Sequence, residues 1–206
     1  MARLRLVPRM EITDEFAVST WQDLFGDKDP ASDDSMVGPN DTRGDYWASV
    51  VNSPETVRYV WDGFGYLRSI SLDPSYREIG MTRAGYNIGS KFVFSQHSKA
   101  LRRVGWSEEK IAAVPHWQDA TCYDEVERLL FAFADDLVLQ HGRVPDERFA
   151  KLREHLSDKD IVEFVHATMM YAGHATVCRA LRLEYDDVGE HVAEVGTGVY
   201  GLSVDD

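Results

Sequence analysis

Apolar residues recur at three- and four-residue intervals along most of this chain, which is the spacing of an amphipathic α-helix. The clearest stripe comprises Val57, Val60, Trp61, Phe64 and Leu67. Ser53-Pro54 stands directly before that stripe and supplies a capping residue followed by proline at the first helical position. The alternation typical of a β-strand is confined to residues 195–204, which include three glycines. The pattern therefore predicts an all-α protein.

Capping residues and breaks in the stripes set the predicted helix bounds. Asp73-Pro74 begins one helix, which Asn87 and Gly89 interrupt, and Ser90 begins the next, which Gly105 ends as a C-terminal glycine. The other predicted helices cover 13–25, a short segment from 107, 125–140, 148–155 and 157–183.

The length predicts a single domain over residues 1–206, since domains average about 150 residues. Residues 1–45 form an N-terminal extension with an irregular loop at 26–44, rich in Gly, Pro, Asp and Ser. Residues 50–185 form the helical core. Residues 186–206 lack helical periodicity and are expected to be an extended tail.

Charge and composition exclude several functional classes. The formal net charge is −13, and no basic stripe offsets it, so nucleic-acid binding is not expected. No apolar run approaches the ~20 residues that span a bilayer, and the N-terminus lacks the apolar stretch of a signal peptide. Cys122 and Cys178 form no CxxC pair and are expected to be small buried side chains in a reducing compartment. These features favour a cytoplasmic protein without membrane partners.

His97 is the candidate catalytic residue among the seven histidines. It lies in the middle of a predicted helix, and burying an unpaired imidazole would cost about 1–3 kcal/mol. Glu78 on the preceding helix would supply its partner, and a His–carboxylate pair among apolar side chains can act as a general acid–base. The other histidines are expected at helix ends and in loops (His116, His141, His155, His191) or as hydrogen-bonded core residues (His166, His174).

The spacing of residues around this pair resembles that of a known protein family. Glu78 and Ser90 are twelve positions apart, and His97 follows Ser90 by seven positions. The Glu, the first Cys and the His of the carboxymuconolactone decarboxylase and AhpD-like superfamily have the same spacing. Residues 100–111 are similar to the family's "ARRAGLTDEEI" stretch, and the likeness extends over about 50–185. The resemblance implies an AhpD-like helical bundle that assembles as a homotrimer or homohexamer.

The chain departs from the peroxidase branch of that family at its redox centre. Ser90 and Val93 stand at the two cysteine positions, and Phe92 replaces the histidine between them. Peroxide reduction there needs a thiolate and a resolving thiol, so thiol peroxidase activity is rejected. Ser90 lies two helical turns, about 10 Å, from His97, and is therefore expected to be a helix cap or a polar pocket residue.

The resemblance to the decarboxylase branch implies a lyase or isomerase that uses Glu78 and His97 without metal or organic cofactor. The implied substrate is a small aromatic-derived organic acid, lactone or related carbonyl compound. Arg83 is expected either to hold a substrate carboxylate or oxyanion or simply to pair with Glu78. The remaining expected pocket residues are Tyr86, Ser90, Phe92, Val93, Phe94 and Trp117.

Two alternatives remain open from the sequence. In the first, the same scaffold performs metal-dependent or oxidative chemistry, with His174 joining Glu78 and His97 as a third ligand. In the second, the chain is a non-catalytic member that binds a ligand or partner, and the Glu–His contact is structural.

Overall fold

The computed structural model describes residues 2–31 and 44–183. Within these ranges the regular elements are helices and there is no β-strand, which confirms the all-α prediction. Short 3-10 turns occupy Arg9–Glu11 and Val114–His116. The α-helices are α1 (Glu15–Phe25), α2 (Asp45–Val50), α3 (Pro54–Ser69), α4 (Pro74–Ile88), α5 (Lys91–Arg103), α6 (Glu108–Ala113), α7 (Glu125–Val138), α8 (Asp146–His155) and α9 (Asp158–Leu181).

Helix starts follow the capping signals of the sequence. Asp14, Asp73 and Asp124 each accept a backbone N–H from the first turn of the helix that they precede. Asp124 also completes a capping box with Glu127, which satisfies two otherwise unpaired N–H groups. The predicted helix over 125–140 ends two residues earlier, at Val138. Helix α2 was not predicted.

The described residues pack into two compact units. The first contains the chain up to Ser69 and the end of α9 from Cys178, and the second contains Ile70–Val177. The single-domain organisation remains a prediction. The expected tail over 186–206 and most of the expected loop over 26–44 lie outside the described residues.

Helices α1, α2 and α3 form the first unit and bury the predicted stripe of α3 in part. Val57, Val60 and Leu67 are buried, whereas Trp61 and Phe64 are half-exposed and meet Trp47 of α2. Backbone hydrogen bonds join the N-terminal segment to α2 and to the end of α9.

The second unit surrounds an aromatic core. Phe133 of α7 stacks on Phe164 of α9, with ring centroids 5.5 Å apart. Helix α4 approaches α9 at Gly80, where a Cβ atom would overlap Thr168 Oγ1 and lie 3.1 Å from the Phe164 ring. It approaches α5 at Gly85, where a Cβ would lie 2.9 Å from the Phe94 backbone nitrogen. The two glycines therefore allow α4 to pack closely against both neighbours.

Candidate acid–base site

A tight reversal between α4 and α5 places the candidate catalytic residues opposite each other. Gly89 ends α4 with a φ of +77°, a left-handed conformation that glycine adopts without strain. Ser90 then caps α5 by accepting the Val93 backbone N–H at 3.4 Å. This hydrogen bond confirms the helix-cap alternative for Ser90, which is also buried.

Glu78 and His97 meet as their spacing predicts. His97 Nδ1 lies 2.7 Å from Glu78 Oε2, and the side chains are 10% and 6% exposed. An ionised carboxylate only accepts hydrogen bonds, so this contact favours the tautomer in which Nδ1 carries the proton. The lone pair of His97 then resides on Nε2, the nitrogen that can accept a proton.

Arg77 contacts the other oxygen of the same carboxylate. Its Nη2 and Nε atoms lie 3.3 and 3.4 Å from Glu78 Oε1, which is longer than a strong charge-assisted bond. The Arg77 side chain remains 23% exposed. Glu78 thus lies between an imidazole and a guanidinium.

Helix α9 contributes two ring side chains, Tyr171 and His174, on the side of His97. The Tyr171 ring meets the His97 ring edge-on, with centroids 4.2 Å apart, and His174 follows 5.5 Å from Tyr171. Phe92 of α5 lies 6.3 Å from His174. The sequence analysis had no signal for Tyr171, because the apolar character of α9 does not show which of its faces meets α5.

The surroundings of His174 disfavour its charged form. Desolvation first, and the nearby His97 second, lower the pKa of His174 to about 3. Its imidazole is therefore neutral at pH 7.

Arg83 pairs with Asp135 instead of Glu78. Its Nε and Nη2 atoms donate to Asp135 at 2.6 and 3.0 Å, and its Nη1 donates to the carbonyls of Val114 and Pro115 at 3.0 and 3.2 Å. The expected pairing with Glu78 is wrong. A role in holding substrate is also disfavoured, because Arg83 is 4% exposed and its donors are used within the protein.

Two of the other expected pocket residues, Trp117 and Tyr86, contact this Arg83–Asp135 pair. Trp117 Nε1 donates to Asp135 at 3.0 Å, and the Arg83 guanidinium lies over the Tyr86 ring at 4.8 Å. Phe94 packs on Tyr86 in the hydrophobic core. Val93 is 1% exposed and packs where α5 meets Gly85. Phe92 lies beside His174, and Ser90 caps α5.

The remaining candidate ligands do not form a metal centre. In residues 2–31 and 44–183, no three His, Cys, Asp or Glu side chains are placed to hold an ion, so His174 does not complete a ligand set with Glu78 and His97. Cys178 is buried as expected, whereas Cys122 is only half-buried. His166 is exposed, so its expected core position is wrong, while His116, His141 and His155 are exposed as predicted. His191 lies outside the described residues.

The described residues define a helical protein in which a buried carboxylate of α4 contacts an imidazole of α5, and Ser90 and Val93 stand at the start of α5. Residues 54–136 match the carboxymuconolactone decarboxylase family. The family match and the similar solved structures support the carboxymuconolactone decarboxylase and AhpD-like superfamily, with residues 54–136 carrying the sequence match.

Related proteins agree with this assignment. The chain is 25% identical over 114 residues to the uncharacterised protein YdfG of Bacillus subtilis (strain 168), which covers 55% of this chain and 78% of YdfG. A protein of unknown function from Agrobacterium tumefaciens, provisionally described as the antioxidant defence protein AhpD, is 27% identical with a TM-score of 0.63, covering 68% and 96% of the two chains.

More distant structures show the same fold. An uncharacterised peroxidase-related protein from Ralstonia eutropha JMP134, described as an alkylhydroperoxidase AhpD core, is 15% identical with a TM-score of 0.65, over 88% and 93% of the chains. The debrominase Bmp8 in complex with 2,3,4-tribromopyrrole is 16% identical with a TM-score of 0.63, over 88% and 92%. Within the described ranges, no helix combines the length and apolar character needed to cross a bilayer.

Proposed function

We propose that this protein is a carboxymuconolactone decarboxylase-like lyase or isomerase in which Glu78 and His97 perform acid–base catalysis on a small organic acid, lactone or related carbonyl compound. The observation that carries the proposal is the 2.7 Å contact between His97 Nδ1 and Glu78 Oε2 in a buried setting. A base held in one tautomer and one orientation by a carboxylate is ready to transfer a proton without first reorganising.

In the proposed reaction, His97 Nε2 removes a proton from the carbon next to a carbonyl group. The C–H electron pair moves into a C=C bond and the carbonyl electrons move onto oxygen, giving an enolate. Protonated His97 then returns the proton to carbon at a conjugated position, which isomerises the substrate. Glu78 accepts the Nδ1 hydrogen bond throughout and stabilises the imidazolium that forms.

Arg77 replaces Arg83 as the proposed cation of the site. It lies beside Glu78 and keeps 23% of its side chain exposed, whereas Arg83 is occupied by Asp135. A partly exposed guanidinium attracts carboxylates through its positive charge. Arg77 would therefore favour substrates that carry an acid group, and its loss should raise KM more than it lowers kcat.

Thiol peroxidase activity is not part of this proposal. The cap position and the first turn of α5 hold Ser90 and Val93, and neither side chain can form a thiolate or a disulfide. Homotrimeric or homohexameric assembly and a cytoplasmic location remain predictions, the first of which a mass measurement in solution would test.

The proposal is tested by screening ring-cleavage lactones and phenolic acids for turnover. Once a substrate is found, Glu78→Gln and His97→Ala should each lower kcat by roughly 10²- to 10⁴-fold. Asp158→Asn, at a side chain that is 79% exposed, is the matched control and should leave kcat unchanged. Folded Glu78→Gln and His97→Ala proteins that turn over at the wild-type rate would contradict the proposal. Ligands that raise the melting temperature without being converted would support the non-catalytic alternative.

A further inference from the structure

We propose that the exposed face of α9 is a dimer interface, on which the same helix of a second copy of this chain packs antiparallel about a two-fold axis. We call this surface the α9 face, and its exposed members are Val162, His166, Met169, Gly173, Thr176 and Val177. The inference is independent of the proposed acid–base function, because Tyr171, which contacts His97, lies on the opposite side of the helix.

The α9 face is apolar although it is exposed. Val162, Met169 and Val177 are 55%, 43% and 39% exposed. The other side of the helix packs Phe164 onto Phe133 in the aromatic core. A helix that is apolar on all sides is typically buried on all sides. We therefore expect another surface to cover the α9 face.

The exposed residues recur at the interval of a helix–helix contact. The first five members of the α9 face are separated by four, three, four and three residues. This is the 3.5-residue period at which two helices pack side by side. Residues 162–177 extend over about 22 Å of the helix, since each residue adds 1.5 Å. The α9 face is therefore matched in shape by another helix.

A two-fold axis between Met169 and Met170 makes the α9 face complementary to itself. An antiparallel copy about that axis places Val162 opposite Val177 of the partner subunit, and His166 opposite Gly173 of the partner subunit. A Cβ at Gly173 would meet no atom within 4 Å, so the space above this glycine can take the imidazole. The pairing matches apolar side chains with each other and the ring with the position that has no side chain.

Charge favours a second copy of this chain over other occupants. The chain has a formal net charge of −13, so most surfaces of two copies repel each other. Residues 164–178 contain no Asp, Glu, Lys or Arg, and two α9 faces can therefore meet without bringing like charges together. Residues 184–206 of the chain itself are a poorer match. They include seven acids and no Lys or Arg, and the α9 face carries no Lys or Arg to balance those acids.

A two-fold contact also restricts the assembly. A homotrimer has three-fold symmetry alone and cannot contain a contact in which the same surface is used on both subunits. A homohexamer built from three dimers can contain it. The α9 contact therefore predicts an even number of subunits.

Sedimentation velocity of the full chain over a dilution series tests the interface. A single helix pair is at the low end of interface sizes, so we expect a Kd on the order of micromolar for the α9 contact. Met169→Glu places the acids of two copies beside each other near the axis and should weaken association about 100-fold or more. Met10→Glu makes the same substitution at a methionine that is 91% exposed in the first unit, and should leave association unchanged. Circular dichroism verifies that both variants fold.

A pair of cysteines tests the orientation of the two helices. The double variant His166→Cys, Gly173→Cys should form a disulfide-linked dimer under mild oxidation, because these positions face each other across the axis. Each single variant should stay unlinked, since the two copies of either position are about 10 Å apart along an antiparallel pair. The wild type, which contains Cys122 and Cys178, is the control and should also stay unlinked.

Several outcomes would overturn the inference. A wild-type chain that stays monomeric at all concentrations would assign the α9 face to another occupant, such as residues 184–206. Equal weakening by Met169→Glu and Met10→Glu, an odd number of subunits, or linked dimers of the single variant His166→Cys would each contradict the antiparallel α9 contact. None of these measurements needs a substrate, so failure of this inference is distinguishable from failure of the proposed function.

Discussion

Replacing Asp135 by Asn should destabilise the protein strongly, because Asp135 neutralises a buried arginine. Its two oxygens accept from Arg83 at 2.6 and 3.0 Å, from Asn87 at 2.8 Å and from Trp117 at 3.0 Å. The side chains of Arg83 and Asp135 are only 5% and 16% exposed. Removing one partner of a buried pair costs about 3–5 kcal/mol, since the remaining charge is left without compensation.

That cost translates into a large thermal effect. A chain of this length loses about 2–4 °C in Tm for each kcal/mol, so the expected fall is about 6–20 °C. Urea unfolding followed by circular dichroism measures the free energy, and a thermal scan measures Tm. Asp158→Asn is the control: its contact with Arg153 is at the surface and is worth about 1 kcal/mol or less. If Asp135→Asn is no less stable than Asp158→Asn, the structural role assigned to Arg83 is refuted.

Three further predictions concern packing and pH. Gly80→Ala should lower the free energy of unfolding by about 1–3 kcal/mol, because the new Cβ would overlap Thr168 Oγ1. Gly173 is exposed on α9, and a Cβ there would meet no atom within 4 Å, so Gly173→Ala should raise the free energy of unfolding by about 0.5–1 kcal/mol. Urea titrations of the two variants measure the sign of each effect, and equal effects would contradict the packing account. Lys159 and backbone N–H groups lower the pKa of Glu163, so its contribution to stability is present at neutral pH and is lost as the pH falls through that lowered pKa. Glu163→Gln should therefore flatten the acid-side decline of Tm, and an unchanged profile would argue against that contribution.

Local signals in the sequence were sufficient for the helices other than α2 and for the contact between Glu78 and His97. The Asp73-Pro74 start, the Gly89 end and the Ser90 cap lie within a few residues of the bonds they make, so they define α4 and α5. Together with the spacing of Glu78 and His97, they predicted which two side chains meet. Helix α2 was missed because its six residues are too few to show a period.

Long-range partners could not be read from such patterns. Arg83 pairs with Asp135, which is 52 residues away on another helix, and no periodicity connects them. His166 and His174 are eight residues apart, which rotates them by about 80° around a helix. One is therefore exposed while the other faces Tyr171. Which face of α9 meets α5 depends on the close approach at Gly80, a property of packing rather than of local sequence.

The protonation of the two His97 ring nitrogens is the most direct test of the central pair and needs no substrate. Nitrogen-15 NMR of the histidine side chains, assigned with His97→Ala, reports which nitrogen carries the proton in the neutral ring. The 2.7 Å contact with Glu78 predicts a proton on Nδ1 and a lone pair on Nε2, and a weaker preference in Glu78→Gln, whose amide can donate as well as accept. A neutral His97 that carries its proton on Nε2, unchanged in Glu78→Gln, would contradict the account.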